Sequence, residues 1–332
     1  MRRRRRAMEA RTLGRTGLPV SALCFGTWEI GGLSWGPISA EDAVALLRQA
    51  LDLGITTYDC SDVYGNGRSE VLLGAAFERH RHDVIYITKA GYIPGIDGAQ
   101  TVLHWQYQNH SPDYLKAACE MSLRRLHTDY IDVYLLHDAP DHVLQSPVPF
   151  GALRELQQAG KIRSWGVSQS ASGAAVAIRE QGVEVVEFPF SLLDQSPLDV
   201  LFPLAKEHGT GLLPRSPFGG GFLLDSVVAA ARAGREPFKQ HDRRRTTPAE
   251  RLGDIVQKAD ALSFLVGDDA APSMAAAAMQ FVLSFEAVGS LVTGIMGPEE
   301  LTGNAAACDP PYLTSDLVAR ARQLYAADFA SS

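Results

Sequence analysis

Short apolar, β-branched runs alternate along the chain with longer stretches whose apolar residues recur every three to four positions. The first pattern predicts buried strands and the second amphipathic helices. Strands are expected at 20–26, 56–59, 84–89, 131–137, 162–168, 183–187, 211–215 and 291–294. Helices are expected at 41–53, 70–79, 112–126, 150–159, 171–181, 197–208 and 273–283, with 298–306 and 315–325 following the last strand. Strands that alternate with helices in this way form parallel sheets covered by helices. Eight such units favour an α/β fold of the closed (β/α)8 TIM type, although periodicity alone also accommodates an open doubly wound sheet.

Three segments depart from the alternation. Residues 11–19 read as a small β-hairpin with glycine at the turn, suited to plugging the floor of a barrel. The intervals after the third strand (91–111) and after the seventh (216–272) are too long for ordinary connections, and long loops in compact domains tend to be lids or binding loops. Residues 2–6 are five consecutive arginines, so 1–10 is expected to be a disordered basic tail ahead of one barrel spanning 11–332. No apolar run follows the arginines, so they do not open a secretory signal.

Composition narrows the function classes. With 332 residues, 46% hydrophobic and 21% charged, the chain has the balance of a globular protein. A net charge of −7 argues against a nucleic-acid partner, which needs concentrated Lys and Arg. No apolar stretch reaches the length of a membrane span, so no membrane role is expected. Cys24, Cys60, Cys119 and Cys308 form no CxxC pair, which leaves no disulfide or metal signature and suits a reducing, cytoplasmic setting. Nothing in the pattern specifies the oligomeric state.

Catalytic groups in such a barrel stand where strands end. Asp59, Lys89, His137 and Ser168 occupy successive predicted strand ends, and Tyr64 lies in the loop that follows Asp59. A free tyrosine, with a pKa near ~10, is a poor proton donor at neutral pH. An adjacent lysine ammonium favours the phenolate and so lowers that pKa. A carboxylate holds the ammonium charged and in place, and an imidazole can share the proton and orient a carbonyl oxygen. Asp59, Tyr64, Lys89 and His137 supply one of each. Singly, each reads as well as a buried ion pair or a core histidine; together they point to function.

Residues 54–70, which contain Tyr58-Asp59-Cys60-Ser61-Asp62-Val63-Tyr64-Gly65, resemble the aldo-keto reductase signature. Ile87-Thr88-Lys89-Ala90-Gly91 and Tyr130-Ile131-Asp132-Val133-Tyr134-Leu135-Leu136-His137 are similar to that family's lysine and histidine strands. The likeness continues through 160–168, Ser216-Pro217-Phe218, Gly294 and Asn304, and so covers nearly everything after Arg11. It implies a TIM-type barrel that binds an extended nicotinamide cofactor, with Tyr64 as general acid/base and Asp59, Lys89 and His137 as its partners. It also places Gly26, Thr27 and Trp28 along the nicotinamide, and Ser168 and Gln169 at its carboxamide. Glu187 stands at a customary Gln and Phe190 at a customary stacking Tyr. Ser216, Pro217, Phe218, Gly219 and Gly221 would approach the pyrophosphate.

At the adenosine end the resemblance implies contacts from Gly294, Met296, Glu300 and Asn304. Met296 and Glu300 occupy positions where Arg or Lys commonly pairs with the 2′-phosphate of NADP, so NAD is expected in preference to NADP. Gly303 replaces a frequent Glu. The expected activity is that of an NAD(P)-dependent oxidoreductase, a reductase or dehydrogenase acting on a carbonyl/alcohol pair. The Leu135-Leu136-His137-Asp138 run resembles family members that oxidise sugars, which suggests a sugar, sugar derivative or cyclic ketone. Trp28, Tyr92, Trp105 and His137 are the expected substrate contacts, with Trp35 and Tyr107 as further aromatic faces. Two alternatives stay open: a barrel of this family repurposed for dehydration, isomerisation or a pericyclic step, and a regulator like the potassium-channel β-subunits.

Overall fold

The computed structural model describes residues 8–32, 36–94, 107–238 and 242–329. Two short strands, β1 (Ala10–Thr12) and β2 (Pro19–Ser21), pair antiparallel. Eight parallel strands follow: β3 (Leu23–Gly26), β4 (Thr57–Asp59), β5 (Ile85–Ala90), β6 (Ile131–His137), β7 (Ile162–Ser168), β8 (Val185–Pro189), β9 (Gly211–Arg215) and β10 (Leu291–Gly294). They close into a barrel in which β10 pairs with both β9 and β3. This is the (β/α)8 barrel that the periodicity favoured. The expected first strand divides at Ala22, where the chain turns from the hairpin into the barrel wall.

The barrel helices start where side chains can satisfy their first N–H groups. Ser39, Ser111, Ser146, Ser170, Ser273 and Thr314 each cap a helix by accepting from a backbone N–H in its first turn. Proline opens the helices Pro112–Arg125, Pro147–Gln158, Pro197–His208 and Pro298–Ala307, where its missing N–H costs nothing.

The hairpin closes the floor. Leu13, Leu18 and Val20 join the inward-facing Cys24, Ile85, Ile87, Val133, Leu135, Val185, Leu213 and Val292 in one buried cluster. Arg11 donates to the carbonyls of Leu283 (3.0 Å) and Val288 (3.1 Å), and Arg15 to that of His208 (2.6 Å). Glu9 accepts from Arg11 at 3.2 Å, and Ala10 stands in β1. The arginine run lies outside the described residues.

Strand parity decides which side chains reach the mouth, because alternate residues face opposite sides of a strand. Val133 and Leu135 point into the barrel while Tyr134 and Leu136 pack against helices, which makes His137 the last inward residue of β6. Ile85 and Ile87 place Lys89 likewise, Val185 places Glu187, and Leu213 places Arg215. The pairing aligns these tops: Gly26 with Asp59, His137 with Ser168, Ser168 with Glu187, and Gly294 with Gly26. The ring of strand ends around the mouth runs Gly26, Asp59, Lys89, His137, Ser168, Glu187, Arg215, Gly294. It steps by two residues where Asp59 pairs with Ile87, Lys89 with Leu135, Glu187 with Leu213 and Arg215 with Val292. Gly166 sits one layer below, where a Cβ would lie 1.8 Å from the Val185 carbonyl oxygen, so this wall position admits no side chain.

The interval after β9 is not an unstructured loop. It contains the helices Asp225–Arg232 and Ala249–Ala261, which enclose a small core of Phe222, Val227, Phe238 and Ile255. Of the segment after β5, residues 95–106 lie outside the described part, and Tyr92 bridges to Gln108 at its ends.

Candidate active site

Asp59, Lys89, Tyr64 and His137 meet at the barrel mouth and are all buried. The Lys89 ammonium donates to Asp59 Oδ1 and, at 3.0 Å, to the Cys60 carbonyl; Glu187 Oε2 lies 3.3 Å from it. Lys89 Nζ also stands 5.1 Å from the centre of the Tyr64 ring. On the other side, His137 presents its edge to Tyr64 (centroids 5.9 Å apart, 80°) and to Tyr92 (5.0 Å, 80°). Trp28 covers Tyr64 at 6.2 Å. The loop that carries Tyr64 turns through Gly65, whose φ of 62° and 2.4 Å approach of a Cβ to the Gly31 carbonyl admit only glycine.

Charge in the ring is balanced by alternation: Asp59 and Glu187 carry carboxylates, Lys89 and Arg215 cations. Arg215 Nε lies 3.6 Å from Glu187 Oε1, which also accepts from Ser168 Oγ at 3.0 Å. Burial disfavours a charged Lys89, but Asp59 and Glu187 outweigh it and hold the ammonium above its ordinary range. Burial, then the Glu187 charge, pushes the Asp59 carboxyl up against the pull of Lys89. Burial and the nearby cations Lys89 and Arg215 hold His137 well below its usual range, so its imidazole is neutral. Tyr64 departs from expectation. Burial raises its pKa above that of a free phenol, and Lys89, the largest opposing influence, offsets only part of the rise. Tyr64 is thus a protonated phenol whose ionisation the buried site opposes and Lys89 in part eases.

From this ring a cavity of about 370 Å³ runs past Trp28, Asp138 and Arg215 to Gly294, Met296, Glu300 and Asn304. Of the expected cofactor-binding residues, Gly26, Trp28, Glu187, Ser216, Pro217, Phe218, Gly221, Gly294, Met296, Glu300 and Asn304 line this cavity. Other expected residues stand elsewhere. Thr27 is buried, its hydroxyl donating to the Asp59 carbonyl at 2.8 Å. Gln169 donates to the Ala139 carbonyl and Ser168 to Glu187, beside the cavity rather than in its wall. Gly219 faces a neighbouring cavity beyond the Ser216–Gly220 turn. Trp35 and Trp105 lie outside the described residues.

Phe190 requires a correction. It follows the helix-facing parity of Val186 and Phe188 and packs wholly buried among Phe202, Phe281 and Phe285. The mouth position on the next strand belongs to Arg215, two residues beyond the inward Leu213. The same parity within the expected strand 211–215 would have found it.

Three further groups join the cavity unforeseen. Asp138 directly follows His137 with φ of 45°, unusual for a non-glycine residue, and its carboxylate accepts from Tyr92 Oη at 3.2 Å. Arg244, from the segment after β9, is gripped by the Asp242 carboxylate (2.6 Å) and donates to the Gly220 carbonyl at 3.3 Å. Glu29 brings its carboxylate against Gly294, about where a Cβ would be, at 1.9–2.0 Å. The elongated shape and donor set fit an extended dinucleotide: Gly26, Gly221 and Gly294 bring backbone to the cavity wall, and Arg244 offers a cation beside the Gly220–Gly221 turn. Glu300 Oε2 accepts the Met296 N–H at 2.7 Å, so that backbone donor already has a carboxylate. Among the described residues no helix is long and apolar enough to cross a membrane.

Comparison with known proteins agrees with this geometry. The model of the Aldo/keto reductase family matches residues 22–326. The chain is 31% identical to the uncharacterized oxidoreductase YqkF of Bacillus subtilis over 317 residues, covering 93% of this chain and 94% of that one. It is 32% identical to pyridoxal 4-dehydrogenase of Microbacterium luteolum over 331 residues (90% and 92%). The holo form of aldo-keto reductase AKR11C1 from Bacillus halodurans superposes with a TM-score of 0.77 at 27% identity, 96% of each chain being covered. With the closed barrel, the tyrosine–lysine–aspartate–histidine mouth and a family match across nearly the whole length, this chain belongs to the aldo/keto reductase family.

Proposed function

We propose that the protein interconverts a small-molecule carbonyl and its alcohol, with Tyr64 as the group that gives and takes the proton at the carbonyl oxygen. The observation that carries this reading is the placement of Lys89 5.1 Å from the Tyr64 ring while Asp59 and Glu187 hold its charge. A buried, protonated phenol is an acid ready to donate, and the adjacent ammonium stabilises the phenolate that forms as it does so. Neutral His137, edge-on to Tyr64, orients the carbonyl oxygen toward that proton. A nicotinamide dinucleotide, when bound, would supply or accept the hydride. Gly26, Ser216–Gly221 and Gly294 would hold it, and Arg244 would offer its phosphates a cation.

NAD is the preferred cofactor in this reading. Met296 offers no cation at the adenosine end, while Glu29 and Glu300 place carboxylates there that repel a 2′-phosphate and can accept from ribose hydroxyls. The substrate class is a hydroxylated cyclic compound such as a sugar or sugar derivative. Asp138 supplies a hydrogen-bond acceptor at the mouth and Trp28 an apolar face, and the relative named for pyridoxal acts on a small ring compound.

The test is NADH and NADPH oxidation by purified protein against a panel of aldehydes, ketones and sugars, with the reverse reaction on sugars and NAD. Tyr64→Phe should cut turnover by at least about a hundredfold while the NADH dissociation constant moves by less than about twofold. Absence of turnover with either cofactor across the panel, or a fully active Tyr64→Phe, refutes the assignment.

A further inference from the structure

Ser61 lies between β4 and Tyr64, and its hydroxyl meets three groups. Its Oγ is 3.1 Å from Asp62 Oδ1, 3.2 Å from His137 Nδ1, and 3.4 Å from the Val63 N–H it accepts. Ser61 and Asp62 are wholly buried behind the mouth, with exposures of 0% and 1%. A hydroxyl has one proton and two lone pairs, and Asp62 Oδ2 has no partner among the described residues to take a proton. With Val63 N–H accepted, two wirings place a proton in each contact and leave every proton of the chain with an acceptor. If Asp62 is ionised, Ser61 donates to it and His137 must carry its proton on Nδ1. If Asp62 is a neutral acid, it donates to Ser61, Ser61 donates to Nδ1, and the imidazole proton sits on Nε2.

The second oxygen of Asp62 distinguishes them. Oδ2 has no hydrogen-bond partner among the described residues. An unpaired carboxylate oxygen in a buried site forfeits its full hydration, whereas the carbonyl oxygen of a neutral acid loses far less. Arg125, the half-buried cation that acts on Asp62, is otherwise engaged, because its Nε donates at 2.6 Å to Glu70, whose other oxygen takes Thr88 Oγ1. Burial, and next the Glu70 charge, push the Asp62 carboxyl well above its ordinary range, against smaller pulls from Ser61, Arg125 and Val63.

We propose that Asp62 and Ser61 are positioning residues whose hydrogen-bond chain, from Asp62 Oδ1 to Ser61 Oγ to His137 Nδ1, fixes His137 as the tautomer protonated on Nε2. The functional value of that tautomer rests on the carbonyl-reduction reading above, since Nε2–H is the donor that would orient the substrate oxygen. The tautomer itself does not. A wrong tautomer disables an imidazole even when every atom stays in place, which is why a positioning chain matters at this strand end.

The experiment is long-range proton–nitrogen correlation of the full-length protein labelled with ¹⁵N-histidine, the His137 signals being assigned by their loss in His137→Gln. The expected wild-type pattern is a protonated Nε2 and an unprotonated Nδ1 below and above neutral pH. Ser61→Ala should populate both tautomers and lower kcat roughly tenfold, with the NADH dissociation constant unchanged within about twofold. Asp62→Asn, whose amide N–H replaces the acid proton, should keep the wild-type pattern. A wild-type His137 protonated on Nδ1, an unaltered pattern in Ser61→Ala, or a switched one in Asp62→Asn overturns the proposal. Should Ser61→Ala not fold, the wild-type and Asp62→Asn spectra decide. Failure of carbonyl reduction with the expected spectrum would remove the proposed function and leave the tautomer assignment standing.

Discussion

Replacing Lys89 by Met removes the cation beside Tyr64 and exposes how much the site owes to it. With Nζ 5.1 Å from the ring centre, the attraction between the ammonium and a full phenolate is about 3 kcal/mol at an effective dielectric constant of ~20. A phenolate fully developed in the transition state would therefore lose roughly a hundredfold in kcat, and one half developed roughly tenfold. The same change strands Asp59 and Glu187 in a buried ring, which costs about 3–5 kcal/mol of stability when one partner of a buried pair is lost. The double variant Lys89→Met with Glu187→Gln separates the two effects. It removes a carboxylate together with the cation, so its urea midpoint should recover toward wild type while its kcat stays as low as that of the single variant. Steady-state reduction under saturating NADH, with cofactor binding followed by fluorescence, reads the rate; urea unfolding reads the stability. A single variant within about threefold of wild-type kcat, or a double variant that regains rate along with stability, would refute the argument.

Other expectations follow from particular contacts. Met296→Arg combined with Glu300→Gln should tighten NADPH binding about tenfold relative to NADH, the worth of one charge-assisted phosphate contact, and an unchanged ratio of dissociation constants would count against the adenosine-end reading. His110, buried and next to His142, has its pKa pulled down to about 4 by burial first and the neighbouring histidine second. Between pH 6.5 and 4 the unfolded chain binds a proton there that the folded chain does not. Stability from this group is therefore complete above pH 6.5 and falls by about 3 kcal/mol as pH drops to 4. The difference in unfolding free energy between wild type and His110→Gln isolates it, and a difference independent of pH would exclude it. Gly166→Ala drives a Cβ into the Val185 carbonyl at 1.8 Å and should cost at least about 3 kcal/mol or prevent folding, read as a urea midpoint; a wild-type midpoint would contradict the β7–β8 register.

The barrel was legible because its strands are short apolar runs whose ends carry polar residues, and the same runs located Asp59, Lys89 and His137 to the residue. What escaped was set by quantities that a linear pattern does not contain. Phe190 was placed by resemblance, as the counterpart of a stacking Tyr, and a resemblance does not show which file of a strand a residue occupies; counting alternate residues from Val185 puts it on the helix-facing side. The helix Ala249–Ala261 was missed because it packs on the small core of Phe222, Val227, Phe238 and Ile255, so its apolar stripe is narrow, formed by Leu252, Ile255 and Ala259. The direction of the Tyr64 shift was misjudged for a third reason. Neighbouring charges can be read from a motif, but burial, the larger influence here, depends on everything that closes around the ring.

The floor hairpin has a consequence for the order of events during synthesis. Arg11 bonds a carbonyl 277 residues later in the chain, and Leu13 nests against Gly211 and Gly289, where an added Cβ would come within 2.7 Å of it. At the usual ribosomal pace of ~5–20 residues per second, the first element made waits on the order of tens of seconds for the last elements that receive it. Through that wait β3 also lacks its partner β10, so both the plug and one barrel edge stand open to solvent together. The apolar load of the nascent hairpin is correspondingly small, resting on Leu13, Leu18 and Val20, with Arg11 and Arg15 on either side of Leu13. A chain that must hold its first piece in reserve keeps that piece short and charged.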